Sequence, residues 1–328
     1  MRRGRMQEKK FRCSSFPMAM AFLLCFLIPT MGSAADYPSK PIQMMVGYAP
    51  GGPTSLAARL ISEEAAKELG VPVVVVNKPG GSGTIAATLV AKSKPDGYTM
   101  LVATSANLSA GFSLIPDITY KLSDFAPIAQ HISVPLTLSV RKDAPWKTLQ
   151  DFIQDAKKNP GKFKGGSDGG GISLTLQALL ETEHLKVAHM IAKGGIPNVT
   201  ALLSGEINIS AIALTSVLAQ VEAGNVRILA SSLKLKEYPG VPTISDAGYT
   251  DISRDFWNGF FVPAGTPQPV IARLVSVFKN VITSPSVAAK IEKMGMIPRY
   301  RDPKEFAFFL QKEYEIWTQL GQKYKIME

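Results

Sequence analysis

Residues 44–60, Met-Met-Val-Gly-Tyr-Ala-Pro-Gly-Gly-Pro-Thr-Ser-Leu-Ala-Ala-Arg-Leu, run an apolar strand into a Pro-Gly-Gly turn that opens straight onto an amphipathic helix. Glycines let a ligand approach the backbone because no Cβ stands in the way. The N–H groups of a helix's first turn have no partner within the helix and point into such a loop. The junction is built to hold an anion without a catalytic side chain. Tyr48, Pro50, Gly51, Gly52, Pro53, Thr54 and Ser55 are therefore candidate ligand-binding residues.

The pattern continues as an α/β chain. Residues 42–46 read as a strand and 54–69 as a helix, with Leu56, Leu60, Ile61 and Ala65 on one face. The β-branched run 71–76 is expected to be a strand buried on both sides in a parallel sheet. A turn over 77–83, a helix over 84–92, a Pro-Asp-Gly turn and a strand over 98–104 complete βαβαβ. In open α/β sheets ligands gather at the carboxyl ends of the strands, which adds Thr104, Ser105 and Asn107 as candidates.

Beyond residue 125 the reading is of strands at 125–131 and 136–140, the latter crossing to a second domain, and of a helix over 146–159. Residues 164–171, Lys-Gly-Gly-Ser-Asp-Gly-Gly-Gly, form a glycine-rich loop before a helix at 173–183. A floppy linker would look similar, but five glycines directly before a well-patterned helix favour a cradle of backbone donors. Ser167, Asp168, Gly169, Gly170 and Gly171 are its candidates, joined by Lys193 and Gly194 after a short strand at 187–191. Helices at 199–204 and 217–223 alternate with strands at 207–214 and 226–231. Residues 257–263 read as the return crossing, and the remainder as helical, at 267–284, 287–294 and 303–324. The expected domains are 36–139 with 255–328, and 140–254, with the chain crossing near Val140 and Asp255.

Several stretches resemble catalytic patterns. Gly165-Gly166-Ser167-Asp168-Gly169 matches the G-x-S-x-G of serine hydrolases, but the preceding Gly-Lys-Phe-Lys is short and polar where an apolar buried strand is required. His184 at a helix end and His189 inside a strand are poor partners for Ser167. Gly81-Ser82-Gly83-Thr84-Ile85-Ala86 fits the dinucleotide fingerprint, yet four residues separate it from its strand and no acid ends the next one. The three histidines are scattered, so no metal ligand set is visible and no cofactor is expected. Backbone donors and hydroxyls without a base describe binding better than catalysis.

The N-terminus reads as a signal peptide over residues 1–35. Arg2, Arg3, Arg5, Lys9, Lys10 and Arg12 precede an apolar run at 18–29, and Gly-Ser-Ala-Ala follows as a cleavage site. The run falls short of the roughly 20 residues that a membrane span takes. That segment carries six basic residues and one acid, so its removal lowers the formal charge from +10 to about +5. A mildly basic protein of this kind suits small anions and gives little support for nucleic acid. Both cysteines, Cys13 and Cys25, leave with the segment, so the mature chain has no thiol for a disulfide, a nucleophile or a metal.

An ordered set of short motifs then resembles a known family, the periplasmic solute-binding proteins of tripartite tricarboxylate transporters, also called Bug proteins. The set includes Tyr-Pro-Ser-Lys-Pro at 37–41, Pro50-Gly51-Gly52, Asn77-Lys78-Pro79-Gly80 and Pro95-Asp96-Gly97-Tyr98-Thr99. Gly166-Ser167, Lys193-Gly194-Gly195, Ala223-Gly224 and Pro263-Ala264-Gly265-Thr266-Pro267 follow in the family's order. The resemblance implies a two-domain periplasmic-binding fold of type II kind and a monomer. A small carboxylate would be held in the interdomain cleft and passed to a membrane permease, with no cofactor and no nucleic acid. It also implies departures, because relatives carry an acid at Ser55, a histidine at Thr175, a small polar residue at Ile172 and an Asp-Asn pair at Ile212-Ala213. Unpaired charge is costly to bury, so these losses lead to the expectation of a carboxylate with an apolar or aromatic body near Ile172, Ile212 and Trp257.

Overall fold

The computed structural model describes residues 37–168, 170–192 and 194–323. The expected signal peptide, Gly169 and Lys193 lie outside the described residues. In β1 (Ile42–Val46) every residue but Gln43 is buried, which fits a strand covered on both faces. It pairs in parallel with β2 (Val73–Asn77) and with β3 (Thr99–Thr104). Helix α1 (Pro53–Leu69) lays Ala57, Ala58, Ile61 and Ala65 on one face of this sheet, and α2 (Thr84–Ala91) lays Ala86, Ala87 and Val90 on the other. Pro53 suits the first helical position, where an N–H would be unbonded anyway. Gly70 ends α1 at φ +73°, its N–H returning to the Ala66 carbonyl at 3.0 Å.

Two short helices, α3 (Ser105–Leu108) and α4 (Gly111–Leu114), precede β4 (Phe125–Val134). The chain then enters a second sheet at Pro135. β5 (Leu136–Arg141) pairs antiparallel with both β8 (Ile209–Ala213) and β9 (Val226–Ser231), while β6 (Lys164–Ser167) runs parallel to β8 and to β7 (Ala188–Ile191). The order of this sheet is β7-β6-β8-β5-β9. Helices α5 (Leu149–Lys158), α6 (Gly170–Thr182), α7 (Gly195–Ser204) and α8 (Leu214–Glu222) cover it. After residue 255 the chain returns as β10 (Phe256–Pro263), which inserts antiparallel between β3 and β4. Helices α9 (Gln268–Thr283) and α10 (Pro285–Lys293), strand β11 (Ile297–Arg301) and helix α11 (Pro303–Lys323) complete the described chain. The first sheet is thus ordered β11-β4-β10-β3-β1-β2.

Both sheets are mixed, each with the antiparallel strand of a crossing in its interior. The passage at Pro135 is tied down on the second-sheet side. Leu214 N–H donates to the Pro135 carbonyl at 2.8 Å, and Ser232 Oγ accepts from Leu136 N–H at 3.0 Å. Helix α11 belongs to neither core alone. Phe306 and Leu310 pack with Leu101, Ala103 and Phe261 of the first sheet, whereas Trp317 and Leu320 pack with Leu174, Leu176 and Leu179 around the second.

Three expectations differ from the structure. The β-branched strand is β2, at the edge of the sheet, with Val74 46 % exposed rather than buried on both sides. β-Branched residues fit the pleated backbone equally at an edge, so composition did not distinguish the two. The glycine loop at 164–171 is a strand in its first half. Gly165 passes beneath Leu176, and Gly166 lies against Ile207 and Asn198, where a Cβ would come within 2.4 Å of the Ile207 side chain. Strand β11, Ile-Pro-Arg-Tyr-Arg, fills the gap between the helices expected at 287–294 and 303–324, where no strand was expected; its proline is tolerated because the strand is at an edge.

Candidate functional site

At the carboxyl ends of β1, β2 and β3, three loops of the first lobe are sewn together by side chains. The Tyr48 hydroxyl lies 2.7 Å from Thr104 Oγ1 and donates to the Ser82 carbonyl at 3.0 Å. Burial pushes the Tyr48 hydroxyl up to about 12, so it remains a neutral donor. Asn77 Nδ2 donates to the Tyr48 carbonyl at 2.8 Å and to Ser55 Oγ at 3.0 Å. Asn107 Oδ1 accepts from Thr104 N–H at 2.9 Å, its amide donates to the Gly83 carbonyl at 3.3 Å, and its own carbonyl accepts from Tyr120 at 2.7 Å. Gly47 and Gly83 touch backbone to backbone, since a Cβ on Gly47 would lie 2.4 Å from Gly83 Cα. The glycines that resembled a dinucleotide fingerprint thus include one in contact with this chain's own backbone.

Against that frame, Pro50 and Gly51 are exposed and Gly52 and Pro53 half-exposed, so the Pro-Gly-Gly turn forms an accessible rim before α1. Gly51 is left-handed at φ +86° and has open space where a Cβ would be. Thr54 and Ser55 face inward. Thr54 Oγ1 accepts from Asn258 Nδ2 at 3.0 Å, and Ser55 is wholly buried on Asn77. Ser105 and Asn107 are also buried.

On the second lobe, Ser167 is wholly buried and its hydroxyl lies 2.8 Å from His189 Nε2. Burial lowers the His189 pKa, favouring the neutral ring. The histidine set aside in the sequence is therefore the partner of Ser167, through neighbouring strands β6 and β7. Asp168 accepts from Asn198 Nδ2 at 2.8 Å and from Ala213 N–H at 3.4 Å. Burial raises its pKa, opposed first by the Asn198 amide. Gly170 starts α6, and Gly171 has its backbone pressed against two aromatic rings. Gly194 precedes α7 at φ +105°, with open space around it.

The two lobes touch where α3 lies against α6. Ile212 and Trp257 are not at this junction's surface. Ile212 is fully buried among Val199, Leu202 and Val217, and Trp257 among Phe261, Phe306 and Leu310. Ile172 is partly exposed, whereas Thr175 is buried with its hydroxyl on the Gly171 carbonyl at 3.2 Å. Among the described residues no group of histidines, cysteines and carboxylates could hold a metal. A separate groove of about 530 Å³, lined by Leu214, Leu218, Lys236, Glu292 and Met296, lies away from these loops. Asn198 and Asn258 are not singled out by the sequence; each acts through a single amide that no local pattern announces.

The chain resembles known proteins along nearly its whole length. Residues 57–326 match the model of the tripartite tricarboxylate transporter family receptor. Protein BugT of Bordetella pertussis is 33 % identical over 292 residues, covering 87 % of this chain and 90 % of BugT. The structure of Rpa4515 of R. palustris with adipate superposes with a TM-score of 0.79 at 26 % identity, covering 88 % of this chain and 99 % of that one. MatC from Rhodopseudomonas palustris with bound malate gives a TM-score of 0.74 at 28 % identity, over 87 % of this chain and all of MatC. With two mixed sheets joined by two chain passages, and a family model that spans most of its length, the chain belongs to the tripartite tricarboxylate transporter receptor family of periplasmic solute-binding proteins.

Proposed function

We propose that the protein captures a small carboxylate between the Pro50–Pro53 turn, the Thr104–Asn107 segment and the Ser167–Gly171 segment, and delivers it as a monomer to a membrane permease. The observation that supports the reading is the contact of α3 with α6, a link between the loop that follows β3 and the helix that follows β6. Among the described residues of these loops no side chain is cationic, so the anion's charge is met by N–H groups and hydroxyls. Each helix N-terminus is equivalent to roughly half a positive charge, so α1 and α6 together match about one carboxylate. A second carboxylate would rest on the hydroxyls of these loops and on solvent. The adipate and malate held by two structural relatives support the class.

The chain passages near residue 135 and before Phe256 serve as the hinge in this reading, and closure around the ligand is a hinge motion. The cargo's body is proposed to be apolar, with Ile172 the partly exposed residue of the three named for it. Cleavage after the signal peptide and absence of turnover belong to the same proposal. Native mass spectrometry of the exported protein, followed by calorimetric titration with adipate, malate, benzoate and citrate, tests it. Saturable 1:1 binding of a mono- or dicarboxylate is expected. Binding of citrate alone, or hydrolysis of an ester substrate that Ser167→Ala abolishes, would overturn it.

A further inference from the structure

The binding segment on α6 is braced by residues from outside the second sheet and its helices. A Cβ on Gly171 would lie 3.0 Å from Trp317 Cη2, 3.4 Å from Cζ2 and 2.9 Å from Phe256 Cε1. The backbone at the first turn of α6 is therefore in direct contact with an indole from α11 and a phenyl from the first residue of β10. The indole has little freedom to move. It is fully buried, and its Nε1–H donates to Glu313 Oε2 at 3.0 Å, one turn back on the same helix. Glu313 Oε1 lies 3.7 Å from an Arg254 guanidinium nitrogen, and Arg254 in turn donates to the Thr250 carbonyl at 2.9 Å. Three and seven residues before Glu313, the same helix is rooted at Leu310 and Phe306 in the core of the first sheet.

We infer that Trp317 is a positioning residue for ligand capture: its ring sets where the Gly171 end of the second-lobe binding segment stands relative to the first lobe. Ligand affinity depends on preorganised donors, because ordering them on binding subtracts from the gain. A rigid aromatic wedge on a helix anchored in both cores supplies that order before the ligand arrives. The inference rests on the carboxylate reading above for its consequence, and on the geometry alone for the contact itself.

Hydrogen exchange separates the two. In the full mature chain, Trp317→Leu is expected to speed exchange of the 167–172 amides about tenfold while amides of α5 change little. Leu320→Ala removes a side chain from the same helix and the same core without touching Gly171, and is expected to leave those amides unchanged. Trp317→Phe, which keeps an aromatic ring, should restore most of the protection and serves if the leucine variant folds poorly. Titration with adipate and malate adds the functional arm, with Kd about tenfold weaker in Trp317→Leu and unchanged in Leu320→Ala. Unaltered 167–172 exchange in both Trp317 variants, or equal loosening by Leu320→Ala, overturns the inference. A wild-type protein that binds neither acid counts against the ligand class instead, and the exchange result still decides the role of Trp317.

Discussion

Tyr48 and Thr104 meet hydroxyl to hydroxyl at 2.7 Å, and because Tyr48 gives its proton to the Ser82 carbonyl, Thr104 is the donor of the pair. Three loops of the first lobe hang on this one phenol. Tyr48→Phe keeps the ring and removes both bonds, so a loss of about 1–2 kcal/mol in urea unfolding is expected. Thr104→Val should add much less in the Tyr48→Phe background than in the wild type. Full additivity in that double-mutant cycle would mean the two hydroxyls do not act together.

Gly47→Ala should be far worse than an ordinary surface change. Its Cβ would meet backbone, Gly83 Cα at 2.4 Å, so no rotamer change relieves the clash. Overpacking of this sort costs about 1–3 kcal/mol, occasionally more. Gly51→Ala provides the comparison, since open space surrounds Gly51 and only its left-handed φ of +86° is strained. A Gly47→Ala melting temperature at or above that of Gly51→Ala would refute the close approach.

The Asn198 amide favours the charged form of a buried Asp168, whose pKa burial has already raised. Without it the bond that remains to the carboxylate among the described residues is the longer one from Ala213 N–H. Asn198→Ala is therefore expected to destabilise by about 1–3 kcal/mol, with the loss shrinking toward the acid end of a stability–pH curve, where protonation of Asp168 relieves the charge. A loss that does not change with pH would show that the amide does not support the anion.

His131 is fully buried, stacked on Phe260 at 4.1 Å, and neither ring nitrogen has a partner. Burial holds its pKa down at about 3 against an ordinary 6.5. The unfolded chain therefore takes up a proton that the folded one refuses, and stability falls as pH drops from about 6.5 toward 3, by up to about 1.4 kcal/mol per pH unit. Above 6.5 the residue adds no pH dependence. His131→Phe should flatten the acid limb of a stability–pH curve measured by urea titration; an unchanged slope would place the acid sensitivity elsewhere.

Glu313 acts in the opposite sense. Burial raises it to about 7 from 4.5, countered first by Arg254. Its desolvation cost is fully present above pH 7 and is relieved as pH falls from 7 toward 4.5, where the folded protein binds a proton that the unfolded chain does not. Glu313→Gln keeps an acceptor for the Trp317 N–H and removes the titration. The difference in stability between wild type and variant should then shift by about 1 kcal/mol or more between pH 8 and pH 5.

Much of the architecture was written in local pattern. Ile42–Val46 and Val226–Ser231 emerge with the boundaries their apolar runs announce, and α1 starts at its proline and stops at Gly70. What the pattern did not disclose was set by tertiary contact. β11 is short, proline-bearing and arginine-rich, and becomes a strand because β4 offers it an open edge. α6 begins at Gly170 inside the glycines, three residues before the apolar periodicity does. At the site, the glycine and hydroxyl loops were legible because their chemistry is local. Which hydroxyls face inward was not, since Ser55 and Thr54 turn toward Asn77 and Asn258, partners 22 and 204 residues away.

The C-terminal helix has a consequence for how the molecule assembles. α11 follows every other described element, yet Phe306 and Leu310 finish one core while Trp317 and Leu320 finish the other. Each lobe therefore waits on the same late segment, through contacts far apart in sequence, which slows folding because loop closure precedes any gain from packing. Until that segment arrives both cores have an open side, and once it docks neither can melt without loosening its neighbour. The two cores that α11 finishes are expected to unfold as a single cooperative unit.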